Sequence, residues 1–322
     1  MADVPSSDRA LPWDARRDPA VDLVRGAAVV CMLVAHLTVI APQSSGPTKL
    51  LLGLVNGVAS PLFALVMGVS MGIVLTRRAG RITGETFVLR DVVRGLVLIA
   101  IGIALDQLYS NIAIVLMSLG ATLVVASPFA LLPVPALAGT AAAVFAIGPW
   151  VNAAARDALD PTRVASDVWV DQVLQWFVLS PHYRVVSLLP FVLAGVVLAR
   201  VGLDRRAALA ALVMSVVAGV ALVALQLAGR GVGGPNHHSG SLPDSLMDLS
   251  LAFGALGFLV LIARSPGSAP LITGLAPVRA VGALALTAYA VHVGLIALVL
   301  GTMERPAFEE SWVPLAGGIL LG

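Results

Sequence analysis

The sequence predicts an all-α protein: a polytopic transmembrane helix bundle of about nine or ten spans whose N-terminus lies in the cytoplasm. Of its 322 residues, 58% are apolar and only 12% are charged, and the mean hydropathy is +0.96. A typical soluble domain carries about 25% charged residues, so this chain lacks the polar surface that water requires. Apolar runs also recur at the length of a bilayer span, with basic residues clustered between them.

The apolar runs set the predicted helices, because a spanning helix needs about 20 predominantly apolar residues. Residues 1–18 form a polar cytoplasmic tail with three arginines, unlike a cleavable signal peptide. Asp18 and Pro19 then open the first helix, since Asp caps free backbone N–H groups and Pro suits the first helical position. We predict nine helices, near 19–41, 50–76, 88–106, 111–132, 134–150, 183–201, 207–228, 246–263 and 279–300.

A tenth apolar run begins at Trp312 and reaches only Gly322, which is too short to cross a bilayer. It either lies in the membrane interface or is a last helix that has been truncated, and we favour truncation. Because no internal repeat or low-complexity tract divides the chain, residues 19–322 are predicted to form a single transmembrane domain.

The basic residues orient the bundle through the positive-inside rule. Fourteen of the 20 Lys and Arg residues fall on the same side as the N-terminal tail, which is therefore predicted to be cytoplasmic. The other six, on the predicted outer side, are Lys49, Arg156, Arg163, Arg184, Arg230 and Arg305. Because arginine replaces lysine almost everywhere, the codon usage suggests a GC-rich bacterial genome and hence a bacterial plasma membrane.

The histidines all fall toward the outer side of this topology. His36 lies near the outer end of the first helix, and His292 lies in the outer half of the ninth. An ionisable residue inside a span is costly and is a functional candidate by default, and imidazole is well suited to move a proton near neutral pH. A neutral histidine bonded to one helix carbonyl would also persist there without a function. The remaining histidines lie in predicted outer loops, where both roles stay open: His182, His237 and His238.

Three other residues are supporting candidates. Asp106 ends the third helix at about the level of the histidines. Tyr289 lies one turn before His292 on the same helix face, where it either orients the imidazole or serves as an interfacial belt tyrosine. Pro61 frees a backbone carbonyl in mid-span, which can mark a kink beside a cavity.

The inner end of the first helix carries a second signal. Asp22 and Arg25 are three residues apart, so they share a helix face and can pair. The pair is either structural or leaves Arg25 facing an anionic ligand from the cytoplasm. Arg77 and Arg78 follow the second helix and either contact the phosphates of such a ligand or bind lipid headgroups. The single cysteine, Cys31, rules out an internal disulfide and a multi-cysteine metal site, and no metal is expected.

Five segments resemble, in order, motifs of the heparan-α-glucosaminide N-acetyltransferase catalytic-domain family, which belongs to a wider group of transmembrane acyltransferases. Residues 21–36 (VDLVRGAAVVCMLVAH) resemble its D-x-x-R-G … M-x-x-x-(N/H) opening, and residues 60–70 (SPLFALVMGVS) resemble P-x-F-x-x-x-x-G-x-S. Residues 189–195 (LPFVLAG), 238–240 (HSG) and 282–292 (GALALTAYAVH) are similar to L-P-(F/Y)-x-x-x-G, P-H-S-G and G-x-x-(A/S)-L-T-x-Y-x-x-H.

The resemblance implies transfer of an acyl group, typically acetyl, from cytosolic acyl-CoA to a hydroxyl or amine of a sugar or lipid-linked acceptor at the extracytoplasmic side. It implies candidate catalytic residues at His36, His292 and His238. It also implies that Arg25 and nearby inner arginines, among them Arg77 and Arg78, hold the CoA end. Acetyl-CoA would be a co-substrate, and membrane lipids, the acceptor and a second copy of the chain are the expected partners.

Two other functions remain open from the residues alone. Intramembrane histidines and kinked helices also occur in proton-coupled transporters and flippases, although the sequence has no paired carboxylates in mid-span and no inverted repeat. The other hypothesis is a metal or haem site between His36 and His292, because two axial histidines suffice for haem.

Overall fold

The computed structural model of the chain describes residues 17–37, 46–108, 112–158, 169–229 and 240–302. Within these ranges the regular structure is entirely helical, which confirms the predicted all-α class. The helices are α1 (Pro19–Leu37), α2 (Gly46–Arg77), α3 (Gly84–Asp106), α4 (Leu116–Phe129), α5 (Val134–Ala158), α6 (Trp169–Leu174), α7 (Val185–Val201), α8 (Arg205–Leu227), α9 (Leu242–Ala263), α10 (Ala269–Gly274), α11 (Ala276–Ala283) and α12 (Ala285–Thr302).

The helices identify a multi-pass membrane protein. Within the described ranges, α1, α2, α5, α8 and α9 are each long and apolar enough to cross a membrane, and the bent pair α11–α12 would make a sixth span. Two further apolar helices, α4 and α7, are shorter. Three valines of α8 are more than half exposed, as expected of a helix that faces lipid: Val213, Val217 and Val220.

The predicted ninth helix, 279–300, is wrong as a continuous element. Helices α11 and α12 meet at Leu284 with a bend of 88°. The Leu284 N–H donates to the carbonyls of Ala280 and Val281 and so ends α11. The Leu284 carbonyl accepts the Ala288 N–H, which begins α12. Periodicity could not reveal this bend, because the apolar sequence runs through it without a Pro.

Helix α11 is in close contact with α1 just before the bend. A Cβ added at Gly282 would lie 2.1 Å from the Asp22 carbonyl oxygen, and one at Gly26 would lie 1.9 Å from that of Val278. Helices α1 and α11 therefore touch backbone to backbone, which only glycine permits at these positions. Beyond Leu284 the chain leaves this backbone contact, and α12 meets α1 again through the side chains of His292 and His36.

Two further differences concern residues 151–182, which lie between the predicted fifth and sixth helices. Helix α5 extends to Ala158, and α6 continues into a π-helical turn, Gln175–Leu179. The predicted tenth helix and the tail 1–16 lie outside the described residues.

The two ends of the bundle differ in chemistry. At one end an Arg264 guanidinium lies 2.5 Å from an Asp18 carboxylate oxygen, and Arg200 donates to the Ala130 carbonyl that ends α4. We call this the arginine end. The opposite end, which holds His36 near the last turn of α1, is the histidine end.

Helices α2 and α7 pack with their backbones in close contact. A Cβ at Gly68 would lie 1.9 Å from the Val192 carbonyl oxygen, and one at Gly195 would lie 2.0 Å from that of Leu65. Gly68 belongs to a GxxxG pair with Gly72, and small residues at that spacing let spanning helices approach closely.

This contact yields a stability prediction. We expect Gly68→Ala to lower the free energy of unfolding by about 1–3 kcal/mol, because the new methyl group meets backbone rather than a flexible side chain. Gly139→Ala is the matched control, since nothing lies within 4 Å of its Cβ position and alanine is the better helix former. Thermal unfolding in detergent should show a lower midpoint for the first variant only. Equal midpoints would contradict the packing described.

Candidate active site

Two imidazoles from the ends of the sequence meet at the histidine end of the bundle. His36 of α1 and His292 of α12 lie with Nδ1 of the first 2.7 Å from Nε2 of the second. Their rings are stacked, with centroids 5.0 Å apart and an interplanar angle of 21°. Both side chains are buried, at 7% and 4% exposure. The structure therefore brings both predicted histidines into one hydrogen-bonded pair.

Tyr289 packs against this pair with its ring edge-on. Its centroid lies 6.1 Å from that of His36 and 5.2 Å from that of His292, at interplanar angles of 79° and 87°. The phenol oxygen accepts the Val115 N–H at 3.3 Å, which fixes the ring against the start of α4. Of the two roles open for Tyr289 from the sequence, orienting the imidazoles fits this buried position, whereas a belt tyrosine would face the membrane interface.

A cavity of about 430 Å³ extends from Tyr289 toward the arginine end. Pockets of roughly 300–1,000 Å³ are typical of small-molecule sites. Because Tyr289 lines the cavity and also contacts both imidazoles, its ring stands between the cavity and the histidine pair. The lining residues are mostly apolar and come from α1, α2, α3, α4 and α12; the polar ones are Arg25, Ser70, Arg94 and Tyr289.

Part of the cavity wall faces outward. Val93 and Val97 of α3 line it and are 51% and 49% exposed, and Leu286 at the start of α12 is 41% exposed. The cavity is therefore a cleft whose open side lies between α3 and α12.

Arg25 lies at the opposite end of the cavity from Tyr289 and is held by three helices. Its Nη1 donates to an Asp22 carboxylate oxygen of α1 at 3.2 Å and to the Gly282 carbonyl of α11 at 3.5 Å. Its Nη2 donates to the Ser70 hydroxyl of α2 at 2.7 Å. Arg17 lies 3.2 Å from the other Asp22 oxygen, so the carboxylate bridges two guanidinium groups. The predicted Asp22–Arg25 pair is thus present, and its arginine lines the cavity.

Arg94 is a second cavity arginine, and it is not among the site residues predicted from the sequence. It donates to the fully buried Asp91 at 2.9 Å, with the same three-residue spacing as the first pair. That spacing was a usable signal, since a carboxylate inside an apolar helix rarely stays buried without a cation. Ser70 was also missed as a site residue, although it closes the segment 60–70 that resembles a family motif.

The other predicted site residues lie outside the cavity. Arg77 and Arg78 are exposed at the end of α2 and do not line it. Pro61 is buried within α2, which continues through it as one helix, and it does not line the cavity either. Asp106 is exposed at the end of α3 and does not line the cavity. His238 falls outside the described residues.

Gly240, just before α9, lies beside a buried polar cluster. Gly240 has φ +68°, and a Cβ there would lie 2.1 Å from Arg184 Nη1. Asn152 donates to the Gly240 carbonyl at 3.2 Å, and Arg184 donates to the Ser180 carbonyl at 2.5 Å. Both polar side chains are buried. The cluster therefore holds the backbone at Gly240, just before α9.

The direct contact between the imidazoles argues against a metal or haem held between His36 and His292. Metal–nitrogen bonds to histidine are about 2.0–2.1 Å, so two trans ligands of one ion stand about 4 Å apart. Nitrogens that share a 2.7 Å hydrogen bond leave no room for an ion or a haem iron between them. Across the described ranges, no three His, Cys, Asp or Glu side chains are grouped so that they could hold a metal.

Comparison with known families agrees with this description. The family model described as "Heparan-alpha-glucosaminide N-acetyltransferase, catalytic" matches residues 17–230, more than half of the chain. The matched range includes Arg25, Arg94 and His36. No curated protein matches the chain. The protein therefore belongs to the heparan-α-glucosaminide N-acetyltransferase catalytic-domain family, a family of membrane acetyltransferases.

Proposed function

We propose that the protein transfers an acyl group, acetyl in the first instance, from cytosolic acyl-CoA to a hydroxyl or amine on a sugar or lipid-linked acceptor at the extracytoplasmic side of a bacterial plasma membrane. The observation that carries the proposal is the cleft: two arginines line it, and it ends at the tyrosine that contacts the histidine pair. Family membership supports the acetyl group and its usual donor.

The arginine end suits the donor. The positive-inside rule assigns this end to the cytoplasm, where acyl-CoA is made. Arg25 and Arg94 supply fixed positive charge to the phosphates, and guanidinium groups bind phosphate oxygens well. A pantetheine arm is narrow, and the aliphatic links between its two amides suit the apolar lining of Phe63, Met67 and Leu119. Arg77 and Arg78, exposed at the same end, are left to contacts with lipid headgroups.

The histidine end suits the transfer step. An acceptor hydroxyl or amine becomes nucleophilic when a base removes its proton as it attacks the thioester carbonyl. The new bond joins the acceptor to the acyl carbon while the carbon–sulfur bond breaks. The sulfur leaves as thiolate and takes up a proton to give free CoA. The buried imidazole pair provides the base, and the Tyr289 ring has to move for the thioester to reach it.

The direct test uses the purified protein in nanodiscs with acetyl-CoA and glucosamine, followed by mass spectrometry of CoA and N-acetylglucosamine. Mass spectrometry is preferable to a thiol-reactive dye, because Cys31 is a free thiol. Stoichiometric production of CoA and acetylated sugar supports the proposal. If the protein binds no acyl-CoA and drives proton-coupled solute uptake into liposomes, the acyltransferase proposal is wrong and the protein is a carrier.

A further inference from the structure

The hydrogen bonds around the histidine pair fix which nitrogen carries each proton. His292 Nδ1 lies 3.0 Å from the carbonyl oxygen of Ala288, one turn earlier in α12. A carbonyl oxygen can only accept, so His292 Nδ1 must carry a proton. A neutral imidazole has a single N–H, and His292 Nε2 is therefore a lone-pair acceptor.

The tautomer of His36 follows from that of His292. Its Nδ1 lies 2.7 Å from His292 Nε2, and two lone pairs at that distance would repel each other. His36 Nδ1 must therefore donate, which leaves His36 Nε2 without a proton. No hydrogen bond links this nitrogen to another described residue. The chain of bonds has one direction, from His36 through His292 to the helix carbonyl.

We infer that the two histidines have unequal roles: His36 Nε2 is the proton acceptor in acyl transfer, and His292 is a positioning residue that holds His36 in the required tautomer. The role of His36 Nε2 as proton acceptor rests on the proposed function. The tautomers of the two histidines follow from the hydrogen bonds alone. The carbonyl of Ala288 sets the direction of both rings, in the way that a carboxylate orients the histidine of a serine hydrolase.

The proton balance follows the same direction. His36 Nε2 takes the proton of the acceptor hydroxyl or amine as the acceptor–acyl bond forms, and the ring becomes an imidazolium. Its Nδ1 proton can then pass along the 2.7 Å bond to His292 Nε2, so the positive charge is shared by two rings. When the carbon–sulfur bond breaks, the proton returns through His36 Nε2 to the CoA thiolate. Acyl-CoA and acceptor are consumed, and CoA and acylated acceptor are formed.

Matched substitutions at the two positions separate these roles. Glutamine at position 292 keeps an oxygen that can accept the His36 Nδ1 proton, whereas leucine fills the space without accepting. We expect His292→Gln to keep kcat within about 10-fold of the parent, and His292→Leu to lower it by about 10²–10⁴, the range known for a misoriented or missing base. At position 36, both Gln and Leu should give the full loss, because neither side chain has a basic nitrogen.

Two controls exclude simple misfolding. The KM for acetyl-CoA should be unchanged in all four variants, because the arginines of the cleft are untouched, and their thermal unfolding midpoints should show that each variant folds. Equal losses for His292→Gln and His292→Leu, or rescue by Gln at position 36 but not at 292, would overturn the assignment.

A spectroscopic readout keeps the inference independent of activity. In protein with ¹⁵N-labelled histidine, ring nitrogen shifts should show His36 and His292 as Nδ1–H tautomers, with spectra of the Gln variants giving the assignment. A proton on His36 Nε2 would overturn the inference even if the enzyme turns over. Conversely, the expected tautomers in a protein that cleaves no acetyl-CoA would sustain the geometry and refute only the proposed function.

Discussion

Replacing His36 with alanine is expected to lower acetyl transfer by about 10²–10⁴-fold, the usual contribution of a general base. The substitution removes the imidazole and leaves a space of its shape beside His292, which lies 2.7 Å away in the parent. Imidazole added to the buffer should enter this space and restore part of the rate, in proportion to its unprotonated fraction. The measurement is the initial rate of CoA release with and without imidazole.

The matched control is His182→Ala. His182 is exposed in the segment before α7, so its loss should leave both the rate and the effect of imidazole at parental values. Full activity of His36→Ala would remove the imidazole pair from the mechanism.

Replacing Arg25 with glutamine is expected to raise the KM for acetyl-CoA by about 10–100-fold, because a hydrogen bond to a charged group is worth about 1.5–3 kcal/mol. The fold should survive, since Asp22 keeps its second cation, Arg17. The rate at saturating donor should change little if the arginine only binds the donor. A large fall in kcat with an unchanged KM would contradict this role.

The choice of donor makes the test specific. Acetyl-pantetheine has the same thioester and arm as acetyl-CoA but lacks the nucleotide phosphates. Parent protein should favour acetyl-CoA over acetyl-pantetheine, and Arg25→Gln should lose most of that preference without losing activity toward the smaller donor. Arg206→Gln is the matched control, because Arg206 is an exposed arginine at the start of α8 and does not line the cleft.

Much of the fold could be predicted from the sequence, because a bilayer imposes a simple requirement on apolar length. The same physics singled out His36 and His292, since an ionisable side chain within an apolar span needs a reason to be there. Their contact across 256 positions could not be predicted from two isolated signals. It depends on how α12 is placed against α1.

Arg94 was not recognised because, in the sequence, it is one of many basic residues at the predicted inner boundary. Its place in the cleft depends on the rotation of α3 about its axis. That rotation is set by contact with α4, where Cβ atoms at Gly95 and Gly120 would lie 2.6 Å and 2.5 Å from each other's carbonyl oxygens. The positive-inside rule counts Arg77, Arg78 and Arg94 equally as inner-side residues. Helix packing, however, brings only Arg94 to the cleft.

The bend at Leu284 has a consequence for the length of the last helix. Gly282 fixes the end of α11 against α1, and α12 then has eight residues in which to bring His292 to His36. One residue added or removed between 285 and 291 would turn His292 by about 100° around the helix axis and move it about 1.5 Å along it. The imidazoles would then face different directions while the helix still crossed the bilayer. The number of residues between Leu284 and His292 is thus constrained by the direction in which His292 must point around the helix axis. This requirement is stricter than the length needed to cross the membrane.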